Sequence, residues 1–329
     1  MKRAFALLLC CLGLVLAAPL PATAASAPTA VSFLGRDWYD LAAWARANNF
    51  SFAWNHKARL VQLTNRNTRL VFAVDSQQSV INGVKAWLSL PVTVQGSKVY
   101  VAVLDVRTML EPLLKSTRPR SARKIKTIVL DPGHGGRDPG NREGAMQEKQ
   151  YTLQLAQQLR AKLQAAGYKV LLTRSRDTYV DLAERAALAN RARADLFVSL
   201  HFNARGTDDT AARGLEVFCL TPTTAASTHS PRTAVSSERL PGDKAGAQSL
   251  VLAYQVQRIL VRQLGMADRG VKHARFVVLR EATMPAVLVE GGFMSAPDEA
   301  RKIADPKFRA RLADAIADGI QLYQHWVER

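Results

Sequence analysis

The sequence predicts an α/β protein: a doubly wound, mostly parallel sheet with helices on both faces, preceded by a small α+β domain. Strand and helix patterns alternate from Thr127 to the end of the chain, as is typical of doubly wound domains. Residues 127–130 form a short apolar, β-branched run, the composition of a strand buried in a parallel sheet. Residues 31–115 instead mix short strand patterns with two helical ones, which predicts a separate domain.

The start of the chain has the layout of a secretory signal peptide. A basic start precedes an almost wholly apolar run over 4–18, and small residues follow it up to Ala24. Because this run is short for a membrane span, we expect a signal peptide over 1–25 and no stable membrane anchor after its cleavage. The mature chain then keeps only Cys219 of the 3 cysteines, so no intrachain disulfide is possible. We expect an exported protein of the periplasm, the cell wall or the extracellular space.

The charge of the chain restricts its partners. The formal net charge is +18 over 329 residues, which favours contact with an anionic polymer or surface. The sequence has no zinc-finger spacing and no basic strand interleaved with aromatic residues, so we expect no nucleic acid partner. For an exported chain, anionic wall polymer is the expected contact of the basic surface.

Residues 31–115 make up the predicted accessory domain. The stretches Asn82-Gly83-Val84-Lys85 and Val99-Tyr100-Val101 resemble the accessory domain named after the amino terminus of copper amine oxidases. The name implies no copper here, because His56 is the single histidine of the segment. No catalytic constellation is present, so we expect a binding or spacer role. The predicted elements are helices over 38–47 and 105–114, strands over 60–63, 70–74 and 98–103, and a turn at 82–83.

A linker and a larger domain follow. Residues 116–126 are rich in Lys and Arg and contain Pro119, which predicts a solvated basic linker rather than a helix. Residues 127–329 are the predicted catalytic domain. Its expected helices cover 149–166, 182–192, 248–264, 298–303 and 307–327; its strands and apolar runs cover 127–130, 169–173, 195–200, 214–220, 276–279 and 286–289.

Polar side chains stand at matching places in this domain. His134, His201 and Glu290 each lie just after a predicted buried strand, or on the loop that follows it. Because the carboxyl ends of parallel strands share one edge of a sheet, these side chains are expected to converge. Glu148 joins them from the start of the helix after the His134 loop, where a carboxylate could alternatively serve only to stabilise the helix. Two histidines and one carboxylate, with a fourth position open, are the ligands of a catalytic zinc site.

The same stretches resemble a known family, the zinc-dependent N-acetylmuramoyl-L-alanine amidases that include the bacterial cell-separation amidases. The resemblance implies that His134, Glu148 and His201 bind one Zn²⁺ per chain and that Glu290 is the catalytic carboxylate. The stretches that carry it are residues 130–140 (LDPGHGGRDPG), 148–149 (EK), 172–174 (LTR), 195–204 (DLFVSLHFNA) and 285–295 (PAVLVEGGFMS).

The expected reaction follows from this site. Zinc-activated water, with Glu290 as general base and acid, would hydrolyse an amide. The resemblance implies that the substrate is peptidoglycan and that the amide joins N-acetylmuramic acid to L-alanine of the stem peptide. A zinc carboxypeptidase acting on wall peptides and a non-catalytic wall-binding protein are the alternatives.

Other residues are weaker candidates. Arg174, Arg185 and Asn203 are candidate substrate-binding residues, although both arginines could instead pair with Asp177, Glu184 or Asp195. His229 and His273 are expected at the surface, and Cys219 in the core. Residues 221–246, with three prolines, are expected to form an irregular loop over or beside the cleft that leaves the zinc open to solvent.

Overall fold

The computed structural model describes residues 28–115, 124–204, 212–228 and 235–328. The predicted signal peptide, most of the predicted linker and His229 lie outside these residues. The elements of the amino-terminal half are β1 (Ala30–Phe33), β2 (Arg36–Asp40), α1 (Leu41–Ala47), β3 (Ser51–Asn55), β4 (Leu60–Thr64), β5 (Arg69–Ala73), β6 (Gln78–Ile81), β7 (Val84–Trp87), β8 (Thr93–Gln95), β9 (Lys98–Ala102), α2 (Val103–Asp105), a π-helical segment (Val106–Leu110) and α3 (Glu111–Leu114).

The carboxyl-terminal half carries the alternating strands and helices. Its elements are β10 (Thr127–Pro132), β11 (Arg142–Glu143), β12 (Met146–Gln147), α4 (Glu148–Ala165), β13 (Lys169–Leu172), α5 (Leu182–Arg191), β14 (Leu196–Asn203), β15 (Leu215–Leu220), a 3-10 turn (Pro241–Ala245), α6 (Gly246–Leu264), β16 (Asp268–Ala274), α7 (Val277–Arg280), β17 (Ala286–Phe293), α8 (Pro297–Ala304) and α9 (Pro306–Glu328).

A mixed sheet forms the centre of the fold, in the order β13-β10-β14-β17-β15-β16-β7-β6-β5-β4-β3. Strands β13, β10, β14 and β17 are parallel to one another, and β15 is antiparallel to β17. Side chains from β10 enter both layers of the core: Leu130 packs with α4, α6 and α9 on one face, and Val129 packs with α5 and α7 on the other. The predicted α/β fold class is confirmed.

The amino-terminal half extends this sheet. Strand β7 pairs with β16 in parallel, with Val271 opposite Ala86. The Lys85 amide donates to Asp268 Oδ2 at 2.8 Å, and the Tyr254 hydroxyl donates to the Ile81 carbonyl at 2.8 Å. Residues 31–115 and 127–329 are predicted from the sequence as separate domains, whereas in the structure strands from both share one sheet.

Two elements differ from the sequence expectation. The helix expected over 38–47 begins only at Leu41, because residues 38–40 pair with β9 and the Asp40 carboxylate caps α1. The apolar run over 276–279 belongs to the short helix α7, and the neighbouring strand is β16. Strand β16 escapes the sequence pattern because it carries charged residues such as Lys272 in its interior.

The segment after β15 starts far from the predicted metal site. Because β15 is antiparallel to β17, Glu216 lies opposite Glu290, and Leu220 ends the strand at the other edge of the sheet. Asp243 is fixed there by hydrogen bonds from the Leu240 amide and the Thr223 hydroxyl. The described residues 221–228 and 235–245 thus begin at the edge opposite the cleft, and not over or beside it as the sequence predicts.

No helix within the described residues combines the length and apolar character needed to cross a bilayer.

Candidate metal centre

The three predicted ligands converge at one edge of the sheet. One ligand atom from each of His134, Glu148 and His201 lies within 4.8 Å of the others. Glu148 Oε2 is 3.1 Å from His134 Nε2, and Glu148 Oε1 is 2.9 Å from His201 Nδ1. Zinc binds imidazole nitrogens and carboxylate oxygens at about 2.0–2.2 Å, and the three side chains offer two ligands of the first kind and one of the second within 4.8 Å of one another. The donor set fits the ion.

The His134 loop is held in an unusual backbone conformation. His134 has a φ of 61°, in the left-handed region that non-glycine residues rarely adopt. Its Nδ1 is 2.8 Å from Asp138 Oδ2, which is the carboxylate–histidine contact that orients metal-binding imidazoles. The preceding Gly133 leaves room for the second histidine, since a Cβ at that position would lie 2.2 Å from the His201 ring.

Glu148 is the first residue of α4 and is almost fully buried. Asn141 donates to Oε2 from its backbone amide at 2.9 Å and from its side chain at 2.8 Å, while the Phe202 amide donates to Oε1 at 3.1 Å. Burial alone would raise the Glu148 pKa, but hydrogen bonds with His134 and His201 lower it far below its usual value. The carboxylate is therefore kept ionised, as a metal ligand requires.

The protonation of His134 is coupled to the same carboxylate. Burial disfavours the charged imidazolium, yet the hydrogen bonds with Glu148 and Asp138 raise the His134 pKa above its ordinary value. A divalent cation at this place would take over the role of that proton. Metal binding should therefore release protons and weaken as the pH falls.

The two candidate substrate arginines are buried and support the His134 loop instead. Arg174 donates to the carbonyls of Pro132 at 2.9 Å and Gly133 at 2.8 Å. Arg185 is 2% exposed and donates to the carbonyls of Pro132 and His134, both at 2.9 Å. Their donors are directed at the backbone of the loop, which argues against contact with a substrate carboxylate.

The acidic partner of Arg185 is Asp131 rather than any carboxylate named in the sequence analysis. Arg185 Nη1 lies 2.9 Å from Asp131 Oδ1, and both side chains are buried. Asp177 pairs with Lys149, and Asp195 accepts hydrogen bonds from the amides that begin β10. A buried charge pair of this kind is costly to break, so the arginine is firmly held against the loop.

Replacing Arg185 by lysine is expected to weaken zinc affinity roughly 10–100-fold, because one ammonium cannot reach Asp131 and two carbonyls together. The measurement is a competition titration against a chromophoric zinc chelator. Arg191→Lys is the matched control, since Arg191 lies on the same helix but is exposed and paired with Glu184. Unchanged zinc affinity in the Arg185 variant would show that the loop does not need this support.

Glu290 lies beside the ligands on β17, directly opposite His201 in the register with β14. Its Oε2 atom is buried and has no hydrogen-bond partner among the described residues. Burial and the nearby carboxylates of Glu148 and Glu216 raise its pKa well above the usual value, and Lys272 opposes this shift. An unpaired carboxyl group with a raised pKa is suited to proton transfer near neutral pH.

Asn203, the third candidate substrate-binding residue, lies at the end of β14. Its Nδ2 atom donates to Glu216 Oε1 at 2.7 Å, which fixes the orientation of the amide. The side chain is half-buried, so part of it remains open to a substrate. Its contact with substrate stays a prediction.

Several supporting residues escaped the sequence analysis. Asp138 lies within the glycine-rich motif, and its spacing from His134 could have identified it as an orienting carboxylate. Asn141, Glu216 and Lys272 gave no comparable signal. The expectation that His273 lies at the surface is wrong, because it is buried in β16, whereas Cys219 is buried as expected. Burial raises the Cys219 pKa to about 12, so the thiol is unreactive at neutral pH.

Comparison with known protein families gives two matches. A family described as N-acetylmuramoyl-L-alanine amidase matches residues 128–322, and one described as copper amine oxidase N-terminal domain matches residues 25–111. Both resemblances found in the sequence are confirmed.

Individual relatives agree with this. N-acetylmuramoyl-L-alanine amidase AmiC of Neisseria meningitidis is 32% identical over 273 residues, which cover 76% of this chain and 62% of that protein. N-acetylmuramoyl-L-alanine amidase AmiA of Escherichia coli is 33% identical over 248 residues, covering 66% of this chain and 85% of that protein. The crystal structure of an N-acetylmuramoyl-L-alanine amidase from Clostridium difficile 630 matches with a TM-score of 0.51 and 34% identity, over 61% of this chain and 97% of that chain.

Proposed function

The chain belongs to the N-acetylmuramoyl-L-alanine amidase family of peptidoglycan hydrolases, and on this premise we propose that it is a zinc-dependent amidase. Its substrate would be the amide bond between N-acetylmuramic acid and the L-alanine of the stem peptide. The observation that carries the proposal is the convergence of His134, Glu148 and His201 beside Glu290 at one edge of the sheet.

The residues of this site have distinct roles in the proposed reaction. Zinc bound by His134, Glu148 and His201 supplies a Lewis acid that activates water and polarises an amide carbonyl. Asp138 holds the His134 ring, and Asn141 together with the Phe202 amide holds the Glu148 carboxylate. These contacts orient the three ligand side chains before substrate arrives.

Glu290 performs the proton transfers. It accepts a proton from the attacking water, whose oxygen bonds to the carbonyl carbon of the lactyl group. When the C–N bond breaks, Glu290 returns that proton to the departing nitrogen, so that L-alanine leaves with a free amine. The lactyl group is left as a carboxylic acid. The buried, unpartnered Oε2 atom of Glu290 supports this role.

We further propose that the protein acts outside the cytoplasm. The signal-peptide pattern of the first 25 residues and the net charge of +18 support export and contact with anionic wall polymer. The amino-terminal half would then contribute to binding at the wall.

Mass spectrometry of digested sacculi tests the proposed bond specificity. We expect stem peptides with a free L-alanine amine and glycan strands without peptide. Free D-alanine as the only product would indicate the carboxypeptidase alternative, and sacculi bound without any product would indicate the wall-binding alternative. Protein treated with a chelator is the control, and zinc should restore its activity.

A further inference from the structure

A buried cluster of charged side chains lies next to Glu290 and has no role in the mechanism above. Its centre is Glu216 on β15, which is 2% exposed. Lys272 Nζ lies 2.6 Å and Arg269 Nε 2.8 Å from Glu216 Oε2, and Asn203 donates to the other oxygen. Burial disfavours an ionised Glu216, but these two cations lower its pKa, so the carboxylate stays charged.

The position of Glu216 in the sheet brings it close to the proposed general base. Glu216 and Glu290 are direct partners in the antiparallel register between β15 and β17. Directly opposite residues have their side chains on the same face of the sheet, with Cβ atoms about 4.5–5.5 Å apart, and like charges there repel each other. Lys272 and Arg269 offset the Glu216 charge and so allow the two acidic side chains to be neighbours.

The amino-terminal half supplies one wall of this cluster. The Trp87 ring of β7 lies over the Lys272 ammonium, with 5.6 Å between Nζ and the ring centroid. Trp87 is itself fixed, because its Nε1 donates to the Arg269 carbonyl at 2.8 Å. A tryptophan face attracts a cation and shields it from water.

The close approach of β7 and β16 requires a glycine. Gly270 has a φ of 90°, and a Cβ there would lie 2.9 Å from the Lys85 carbonyl oxygen and from Lys85 Cβ. The strand that carries Arg269 and Lys272 can therefore lie against the amino-terminal half only with glycine at this position. The contact between the two halves is specific rather than a loose apposition.

We propose that Trp87, Lys272 and Glu216 are positioning residues for Glu290, so that the amino-terminal half is part of the catalytic unit rather than only a wall-binding spacer. The inference rests on the proposed function, because it concerns the same general base. Without the Trp87 ring, the Lys272 side chain gains access to water and its ammonium can leave Glu216. The Glu216 charge then acts on Glu290, and the pairing of β15 with its neighbours opens more often.

The test is a mutant cycle in the full chain, comprising Lys272→Met, Glu216→Gln and the double variant, together with Trp87→Leu. Trp54→Leu is the matched control: Trp54 belongs to the same half but lies on the edge strand β3, stacked on His56. For each protein we would measure zinc content, the thermal unfolding midpoint, and kcat and KM on a soluble muropeptide. Hydrogen exchange of β15 and β16 gives a readout that does not depend on hydrolysis.

We expect Lys272→Met and Trp87→Leu to lower kcat roughly 10-fold or more, with zinc content and KM nearly unchanged. Adding Glu216→Gln to Lys272→Met should recover several-fold in kcat and restore slow exchange in β15, because the unpaired charge is gone. Equal kcat and exchange in Lys272→Met and the double variant, or a Trp87 variant that behaves like the Trp54 control, would overturn the inference. A wild-type chain that releases no stem peptide would refute the proposed function instead. In that case the exchange of β15 and β16 in the variants would still show whether Trp87 and Lys272 hold the Glu216 side chain in place.

Discussion

His201→Ala is expected to abolish zinc binding and hydrolysis together. The variant removes one of three converging ligands, and it leaves Glu148 Oε1 without its 2.9 Å partner in a buried site. Two remaining protein ligands hold a divalent ion far more weakly than three, so dialysed protein should contain almost no zinc, against about one per chain for the wild type. Atomic absorption gives the metal content, and release of stem peptides from sacculi gives the activity.

Two further variants make this result specific. His134→Ala should behave in the same way, because His134 lies on the opposite side of the Glu148 carboxylate. His325→Ala is the control, since His325 lies exposed on α9 and its Nδ1 is hydrogen-bonded to the Gln321 carbonyl. Full zinc occupancy in both His134 and His201 variants would place the metal elsewhere.

The convergence of the proposed ligand side chains could be predicted from the sequence because parallel strands have a shared geometry. His134, His201 and Glu290 are far apart in the chain, but each lies at the carboxyl end of a strand in one parallel set. Strand periodicity and turn residues are local signals that show where each strand ends. Because the strands are parallel, their carboxyl ends lie at one edge of the sheet, so residues at these ends come together in space. Glu148 does not follow a strand, and it was predicted instead from its position at the start of the helix after the His134 loop.

The roles of the two arginines could not be predicted in this way. Arg174 follows a buried strand, and Arg185 lies near the start of a helix. Both positions are equally compatible with substrate contact and with support of a loop. In the structure Arg185 is 2% exposed and donates to the Pro132 and His134 carbonyls, which favours support of the loop. A sequence shows the charge of such a side chain but not its surroundings.

The polar strand β16 escaped prediction for a related reason. Alternating or apolar residues identify strands that pack against a core, whereas β16 carries Arg269, Lys272 and His273 toward other polar groups and toward the amino-terminal half. Strand β15 pairs with β16 in parallel and with β17 antiparallel, so the loop after β15 begins at the edge of the sheet opposite the proposed metal site. The sequence analysis missed both the strand β16 and the direction of β15, and therefore expected the described residues 221–228 and 235–245 at the wrong edge of the sheet.

Glu290→Gln is expected to keep the zinc and lose roughly 10²–10⁴-fold in hydrolysis, because an amide cannot accept the proton of the attacking water. The variant is isosteric and Oε2 has no hydrogen-bond partner among the described residues, so the fold should tolerate it.

The same variant should change the pH dependence of stability in metal-free protein. Burial and the charges of Glu148 and Glu216 raise the Glu290 pKa above 4.5, its ordinary value. The contribution of Glu290 to the free energy of unfolding of the wild type is therefore fully present below about pH 4.5, and it is lost as the pH rises through the raised pKa. Thermal unfolding after chelation should find Glu290→Gln more stable than the wild type at neutral pH, with a difference that narrows in acid.

Glu184→Gln is the control for both measurements. Glu184 lies on the exposed face of α5, so this variant should leave activity and stability unchanged. Near wild-type turnover in the Glu290 variant would assign the proton transfer to another group.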